Sequence, residues 1–177
     1  MEIVVPEAFQ YLYAVNRERP VVKIPHPVLR QVAREVTKVG PSVGKLIDEM
    51  SRVMNQAYGI GLAAPQLAVS QRVLVMASDG KRMIALVNPK ITEREGEIVG
   101  EEGCLSIPGL YADVKRSRRV LVEGWDKRGR PVEYEMEGLS SRVVQHEIDH
   151  LDGILFIDHA DPETLHWSLP SHEREAE

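Results

Sequence analysis

The 177-residue chain is poor in cysteine and in long apolar runs, and each shortage excludes a class of protein. Its single cysteine, Cys104, cannot form a disulfide bond within the chain, which excludes a disulfide-stapled secreted scaffold. No apolar run approaches the ~20 residues of a membrane-spanning helix. The first residues also lack the basic and apolar segments of a signal peptide. We therefore expect a cytoplasmic protein with no membrane partner.

Basic residues are also in the minority, with 22 Lys and Arg against 27 Asp and Glu, for a net charge of −5. This balance argues against a dedicated nucleic-acid binder, and we expect no DNA partner. Apolar residues make up 43% of the chain and charged residues 28%, which is ordinary for a soluble globular protein. The length fits one domain with a substantial core.

One stretch carries the residue types of a metal site, the segment Gln145–His150, which contains the pattern H-E-x-x-H. Residues four apart share one face of an α-helix, so His146 and His150 can reach the same ion. Glu147 is then placed to take a proton from water bound to that ion. The pattern predicts a helix that binds a metal and carries a general base.

The local sequence favours a helix over Arg142–Leu151, because this stretch contains neither glycine nor proline. Ser140 or Ser141 is the expected N-cap, and Gly153 suits the left-handed position after the helix. Apolar residues cover much of the helix, which predicts that it is buried. Buried imidazole and carboxyl groups are costly unless they are satisfied, and a metal ion would satisfy them.

Patterns outside this helix indicate the fold class. Apolar residues recur at helical spacing over Ser42–Tyr58 and predict a long helix. From Gln71 onward, alternating apolar residues and turn signals predict antiparallel strands joined by short turns. Three hairpins are expected: Val73–Met76 with Met83–Val87 around Asp79-Gly80, an edge hairpin over Ile91–Val99 around Glu95-Gly96, and Val120–Trp125 with Val132–Met136 around Asp126–Gly129.

A short C-terminal helix should begin with Asp161 as N-cap and Pro162 as its first residue, and end at Pro170. The predicted fold is therefore α+β, with antiparallel sheets packed around the central H-E-x-x-H helix. We expect a single catalytic domain over residues 1–177, with residues 1–20 as an N-terminal arm and residues 159–177 as an acidic tail. Four apolar residues of the arm can share one helical face: Phe9, Leu12, Tyr13 and Val15. We interpret the arm as a packing appendage.

A catalytic metal ion usually has three protein ligands, so the two histidines need a partner. The candidates are Cys104, Asp149, Asp152, His159 and His166. Cys104 lies in a predicted chain reversal between Gly100 and Gly109, where ligands and oxyanion donors are often found. A lone cysteine is, however, commonly a buried apolar residue.

Three motifs in order resemble the peptide deformylase family, most closely its compact bacterial type. They are Gly-Ile-Gly-Leu-Ala-Ala-Pro-Gln at 59–66, Glu-Gly-Cys-Leu-Ser at 102–106 and Gln-His-Glu-Ile-Asp-His-Leu-Asp-Gly at 145–153. The resemblance covers about residues 21–158. It implies a hydrolase that removes the N-formyl group from the initiator methionine of nascent polypeptides and releases formate.

The resemblance also implies roles for individual residues. The metal ligands would be Cys104, His146 and His150, with Glu147 as the acid and base. The side-chain amide of Gln66 and the backbone N–H of Leu105 would form the oxyanion hole. Substrate would be held by Ile60, Gly61, Leu139 and Val143, the first two by strand-like pairing and the last two, with Ile60 and His146, as an apolar methionine pocket. The family metal is usually Fe²⁺ in the cell, and Zn²⁺, Ni²⁺ or Co²⁺ can replace it.

Some features depart from the family pattern, and some alternatives stay open. The arm precedes the usual family start, and His26 stands where the family often has Asp. Enzymes of this family can dock on the ribosome through a basic C-terminal helix, but the tail of this chain is acidic. The basic cluster Lys115–Arg119 is the substitute surface for a ribosome contact. The alternatives are a zinc metalloprotease, a closed metal site with four protein ligands and an inactive relative that only binds.

Overall fold

The computed structural model describes residues 3–16, 20–78 and 82–169, and within them two antiparallel sheets enclose a helix. The helices are α1 (Pro41–Gln56) and α2 (Leu139–Leu151). The strands are β1 (Gly61–Ala63), β2 (Val73–Ser78), β3 (Arg82–Glu95), β4 (Ile98–Cys104), β5 (Ile107–Arg116), β6 (Arg119–Trp125), β7 (Pro131–Glu137) and β8 (His166–Trp167). Short 3-10 turns cover Glu7–Tyr13, Pro27–Arg30, Ala64–Leu67, Phe156–Asp158 and Pro162–Thr164.

The larger sheet has the strand order β1-β2-β3-β6-β7 and the smaller sheet the order β4-β5-β8. Neighbouring strands in both sheets are antiparallel. The predicted α+β class with antiparallel sheets is therefore confirmed. Strands β1 and β4 are each at an edge of their sheet, and both edges face the site described below.

Helix α2 is buried because its apolar face packs on the larger sheet. Val144 and Leu151 are fully buried, in one cluster with Leu74, Leu86 and Val120. Burial of one such side chain stabilises the fold by roughly 1.5–3 kcal/mol. The packing fixes the orientation of α2, and with it the direction in which its polar residues point.

The predicted start of α2 is wrong in its details. The N-cap is Gly138, without a side-chain cap, rather than Ser140 or Ser141. The hydroxyl of Ser141 instead donates to the carbonyl of Ser117 at 2.8 Å. Ser141 lies within the helix and faces the short connection between β5 and β6, which contains Ser117. Gly153 does adopt the expected left-handed conformation, with φ of 73°.

The edge hairpin predicted over Ile91–Val99 is also wrong. Strand β3 pairs with β6 and strand β4 pairs with β5, so the chain crosses from one sheet to the other near Gly96. The Glu95-Gly96 pair predicted a hairpin turn, whereas Gly96, with φ of 62°, lies where the chain passes between the two sheets. The predicted hairpin of β6 and β7 is present.

The ends of the described chain are less regular than predicted. The C-terminal helix is only a single 3-10 turn, Pro162–Thr164, although Asp161 caps it as expected by accepting from the N–H of Glu163. The turn residues Asp79-Gly80 and the expected helix end at Pro170 lie outside the described residues. None of the described helices has the length and apolar character needed to cross a membrane.

Candidate metal centre

Cys104, His146 and His150 converge in the interior, between the end of β4 and helix α2. One potential ligand atom from each residue lies within 4.8 Å of the others. The Cys104 Sγ is 3.2 Å from Nε2 of His150. His150 is 1% exposed and Cys104 9%. The two histidines meet because they are four residues apart on α2, and the sheet crossover brings the cysteine to them.

The electrostatics of this cluster favour the thiolate form of Cys104. Burial raises the pKa of the Cys104 thiol, but the charges and hydrogen bonds of His150 and His146 outweigh burial and hold that pKa well below its usual range. Thiolate is the form of cysteine that binds metals. Two imidazoles with one thiolate form a donor set that suits several divalent transition metals. The residues present therefore fit a metal ion.

Glu102 and Arg116 hold one of the histidines in place from behind. A carboxylate oxygen of Glu102 lies 2.9 Å from Nδ1 of His146. Arg116 donates to both oxygens of Glu102, at 3.0 and 2.9 Å, and also to Asp149. Burial raises the pKa of Glu102, but the hydrogen bonds from His146 and Arg116 outweigh it and lower the pKa to about 2. The ionised carboxylate can only accept, so the proton is on Nδ1 of His146, and Nε2 is left with a lone pair that could bind a metal ion.

The other candidates for a third ligand lie elsewhere. Asp149 pairs with Arg116 and His159, and Asp152 pairs with Arg72 at 2.7 Å. His166 is 3.5 Å from Glu101. Among the described residues, the single group of three or more side chains placed to bind one metal ion is Cys104, His146 and His150.

Glu147 lies beside this cluster and is 4% exposed. Burial raises its pKa to about 7, and its Oε2 has no hydrogen-bond partner among the described residues. Gly61 makes room for this side chain, because a Cβ atom at Gly61 would lie 2.2 Å from Oε1 of Glu147. A buried carboxyl group that titrates near neutral pH can both take up and release a proton.

The predicted oxyanion-hole residues also reach the site. The side-chain oxygen of Gln66 accepts from the N–H of Ala63 at 2.9 Å, which fixes the orientation of the amide. Its Nε2 therefore points at Cys104 Sγ and Ser106 Oγ, at 3.7 and 3.2 Å. Leu105 lies in the turn between β4 and β5 and lines the same cleft.

A cleft of about 560 Å³ leads to the cluster. It is lined by all four residues that were expected to hold substrate: Ile60, Gly61, Leu139 and Val143. Ile60 and Leu139 are exposed at its rim, and Val143 is buried. Arg142 also lines the cleft, held by the carbonyls of Gly100 and Glu101.

Comparison with known proteins identifies the family. The family model described as polypeptide deformylase matches residues 18–166. The chain belongs to the polypeptide deformylase family. It is 52% identical over 138 residues to the peptide deformylase of Alkalilimnicola ehrlichii, which covers 76% of this chain and 78% of that protein. It is 47% identical over 144 residues to that of Thermodesulfovibrio yellowstonii, which covers 79% and 87% of the two chains.

Solved peptide deformylases share the fold. The crystal structure from Thermus thermophilus matches with a TM-score of 0.77 at 45% identity, covering 89% of each chain. The structure from Synechococcus elongatus in complex with actinonin matches with a TM-score of 0.78 at 38% identity, covering 80% of each chain. Peptide deformylases are metal-dependent hydrolases that remove the N-formyl group from nascent polypeptides. The family that the three sequence motifs predicted is confirmed.

The role of Arg116 in the candidate site was missed from sequence. Arg116 belongs to the basic cluster Lys115–Arg119, which the sequence predicts as a surface for phosphate contact, yet it is 7% exposed and forms an ion pair with Glu102. Along β5 the alternate residues Leu110, Ala112, Val114 and Arg116 are all buried, and this two-residue period was a signal that could have found it. The other cations of the cluster form ion pairs: Lys115 with Glu97, Arg118 with Glu137, and Arg119 with Glu93, Glu95 and Glu135.

Proposed function

We propose that Cys104, His146 and His150 of this chain hold one divalent metal ion, and that Glu147 is the acid and base of deformylation. The metal is Fe²⁺ in the cell, with Zn²⁺, Ni²⁺ or Co²⁺ as substitutes. When bound, it supplies Lewis-acid chemistry, which acidifies water and polarises a carbonyl group. The convergence of the three ligand atoms beside the buried Glu147 carries this proposal.

Glu147 moves the proton in both halves of the reaction. Its carboxylate takes a proton from the water molecule as the water oxygen bonds to the formyl carbon. The protonated carboxyl then gives that proton to the leaving nitrogen as the carbon–nitrogen bond breaks. The products are formate and a free methionine amine. A pKa of about 7, raised by burial, suits a group that must do both near neutral pH.

Gln66 and Leu105 stabilise the negative charge that develops on the formyl oxygen. The Nε2 of Gln66 is aimed into the site by the hydrogen bond that its Oε1 accepts from Ala63. The backbone N–H of Leu105 is the second donor, from the turn that directly follows Cys104. Loss of one such donor typically costs roughly 10²–10³ in rate.

The peptide lies between the two sheets. The open edges of β1 and β4 both border the cleft, through Gly61 and Gly103. An extended peptide can add to such an edge by backbone hydrogen bonds. Ile60 and Gly61 supply the pairing on one side, and the methionine side chain packs against Leu139 and Val143.

The domain organisation, the cellular location and a ribosome contact complete the proposal. Residues 1–177 form a single catalytic domain that acts in the cytoplasm, because its substrate is made there by translation. Ribosome contact through Lys115–Arg119 would have to exchange ion pairs for phosphate contacts. Charge reversal at Arg118 tests this contact, and unchanged co-sedimentation with ribosomes at low salt would contradict it.

A formate-release assay on anaerobically purified protein of measured metal content tests the main proposal. The protein is incubated with a formyl-Met tripeptide and with the same peptide acetylated and extended at its N-terminus. We expect stoichiometric metal and formate from the first peptide only. Cleavage of an internal bond would instead support the metalloprotease alternative, and bound metal without turnover would support a binding protein.

A further inference from the structure

The 3-10 turn Glu7–Tyr13 of the N-terminal arm packs on the smaller sheet, although this turn lies before the region that the family model matches. The ring of Phe9 is 5.1 Å from the ring of Trp167 on β8. Phe9 also occupies the space above Gly109, where a Cβ atom would lie 2.6 Å from its Cδ1. Gly109 has φ of 87°, so glycine suits this position both by conformation and by the room it leaves. Phe9 thus anchors the 3-10 turn Glu7–Tyr13 on β5 and β8.

This anchoring brings Leu12 to the wall of the substrate cleft. Leu12 is 5% exposed and lines the same cavity as His146 and Glu147. Its Cδ1 lies 3.5 Å from the Cβ position of Gly109, and so beside the first residues of β5. Leu139 and Arg142 lie at the α2 end of the cleft instead, where Arg142 contacts Gly100.

Tyr13, which follows Leu12, carries a polar group into the interior. Its hydroxyl is buried and has no hydrogen-bond partner among the described residues. Burial raises the pKa of Tyr13, and the charge of Cys104 raises it further. The phenol of Tyr13 therefore stays neutral.

We propose that the arm forms a wall of the substrate cleft and that Leu12 is a specificity-determining residue for the side chain that follows formyl-methionine. The inference rests on the substrate placement proposed above. When the methionine side chain packs against Leu139 and Val143, at the α2 end of the cleft, the side chain of the next substrate residue faces the opposite wall, which Leu12 lines. An apolar side chain there would bury surface against Leu12, whereas glycine would not.

The test compares two substrates that differ only after methionine, formyl-Met-Leu-Ser and formyl-Met-Gly-Ser, with the metal-loaded enzyme. For Leu12→Ala we expect kcat/KM on the leucine peptide to fall about tenfold, mostly through KM. On the glycine peptide we expect a change of about twofold or less. Leu12→Met, which restores apolar bulk, should recover the wild-type preference. Val15→Ala is the matched control, since Val15 is half exposed on the same arm.

The outcomes separate this inference from the function on which it rests. Equal losses on both peptides, or a loss that follows a lower thermal unfolding midpoint, would mean that Leu12 only packs and would overturn the inference. Unchanged kinetics in Leu12→Ala would overturn it as well. If the wild-type enzyme released formate from neither peptide, the proposed function would fall and this inference with it.

Discussion

The carboxylate of Glu102 accepts a hydrogen bond of 2.9 Å from Nδ1 of His146, and Arg116 holds the same carboxylate from its other side. This arrangement sets which ring nitrogen of His146 faces Cys104. Outer partners of this kind raise the basicity of a metal ligand and fix its tautomer. Glu102 is therefore a positioning residue that acts through His146.

Replacing this carboxylate should weaken the metal site while leaving its ligands in place. For Glu102→Gln we expect metal affinity or kcat to fall roughly 10–100-fold, because an amide no longer stabilises the Nδ1 proton as a carboxylate does. Competition with a chelator measures the affinity. The neighbouring Glu101→Gln, at an exposed position, is the control and should match the wild type. Equal behaviour of the two variants would contradict the role of Glu102.

Cys104→Ser should lose metal, because a neutral hydroxyl is a poor substitute for a thiolate. We expect substoichiometric metal after dialysis, measured by atomic absorption on protein with an unchanged circular dichroism spectrum. His159→Ala and His166→Ala remove the histidines that sequence also allowed as third ligands, and both should keep full occupancy. A stable stoichiometric metal content in Cys104→Ser would show that the cysteine is not a ligand.

Glu147→Ala should separate metal binding from catalysis. We expect normal metal content and a loss of roughly 10²–10⁴ in kcat, which is the usual contribution of a general acid and base. Glu49→Ala, at an exposed position on α1, provides the control. Normal deformylation of formyl-Met peptides by Glu147→Ala would exclude the proton-transfer role.

The parts of this site that sequence could predict are those whose geometry is local. His146, Glu147 and His150 lie on one helix, where spacing alone determines which side chains share a face. Cys104 comes from the other sheet, so its position depends on pairings over long distances in the chain. From the residues alone it remained one of five candidates, and family resemblance was needed to select it.

The sheet crossover and the outer partners were missed for physical reasons. A glycine with positive φ serves a hairpin turn and a sheet crossover equally well, so Gly96 could not distinguish them. Arg116 stands in a run of cations that resembles a solvated surface, and only the burial of its strand face reveals its role. The arm carries a predicted apolar face, but a pattern within the arm does not indicate which distant surface that face packs on.

An ion pair remote from the metal should make stability depend on pH. Asp158 is partly buried, which raises its pKa, but hydrogen bonds from Arg30 and from the N–H of Leu155 outweigh burial and lower it. The pKa is lowered on folding, so the stabilisation is present above the unfolded pKa, about 3.9, and is lost as pH falls through the lower folded value.

Asp158→Asn should therefore reduce the free energy of unfolding by about 1 kcal/mol at pH 7. The difference from wild type should shrink steadily below about pH 4. Urea unfolding at several pH values measures both. Glu97→Gln breaks an ion pair with Lys115 in which both side chains are more than half exposed, and should change little. A difference that stayed constant down to pH 2 would contradict the assignment.

Gly61 makes room for the side chain of Glu147, the proposed general base. A Cβ atom at Gly61 would lie 2.2 Å from Oε1 and 2.8 Å from Cδ of Glu147, so Gly61→Ala must displace this side chain. Displacement of a catalytic group by about 1 Å can cost 10²-fold in rate. We expect a loss of that order in kcat with full metal content, since the atoms nearest to the new Cβ all belong to Glu147 and not to the proposed ligands His146 and His150. Gly44→Ala on α1 is the matched control, because its Cβ would meet only Cε of Lys127, at 3.7 Å. That variant should keep full activity and gain about 0.5–1 kcal/mol of stability, as alanine replaces glycine inside a helix. If Gly61→Ala turned over normally while Glu147→Ala did not, the carboxylate would not need the position that it holds beside Gly61.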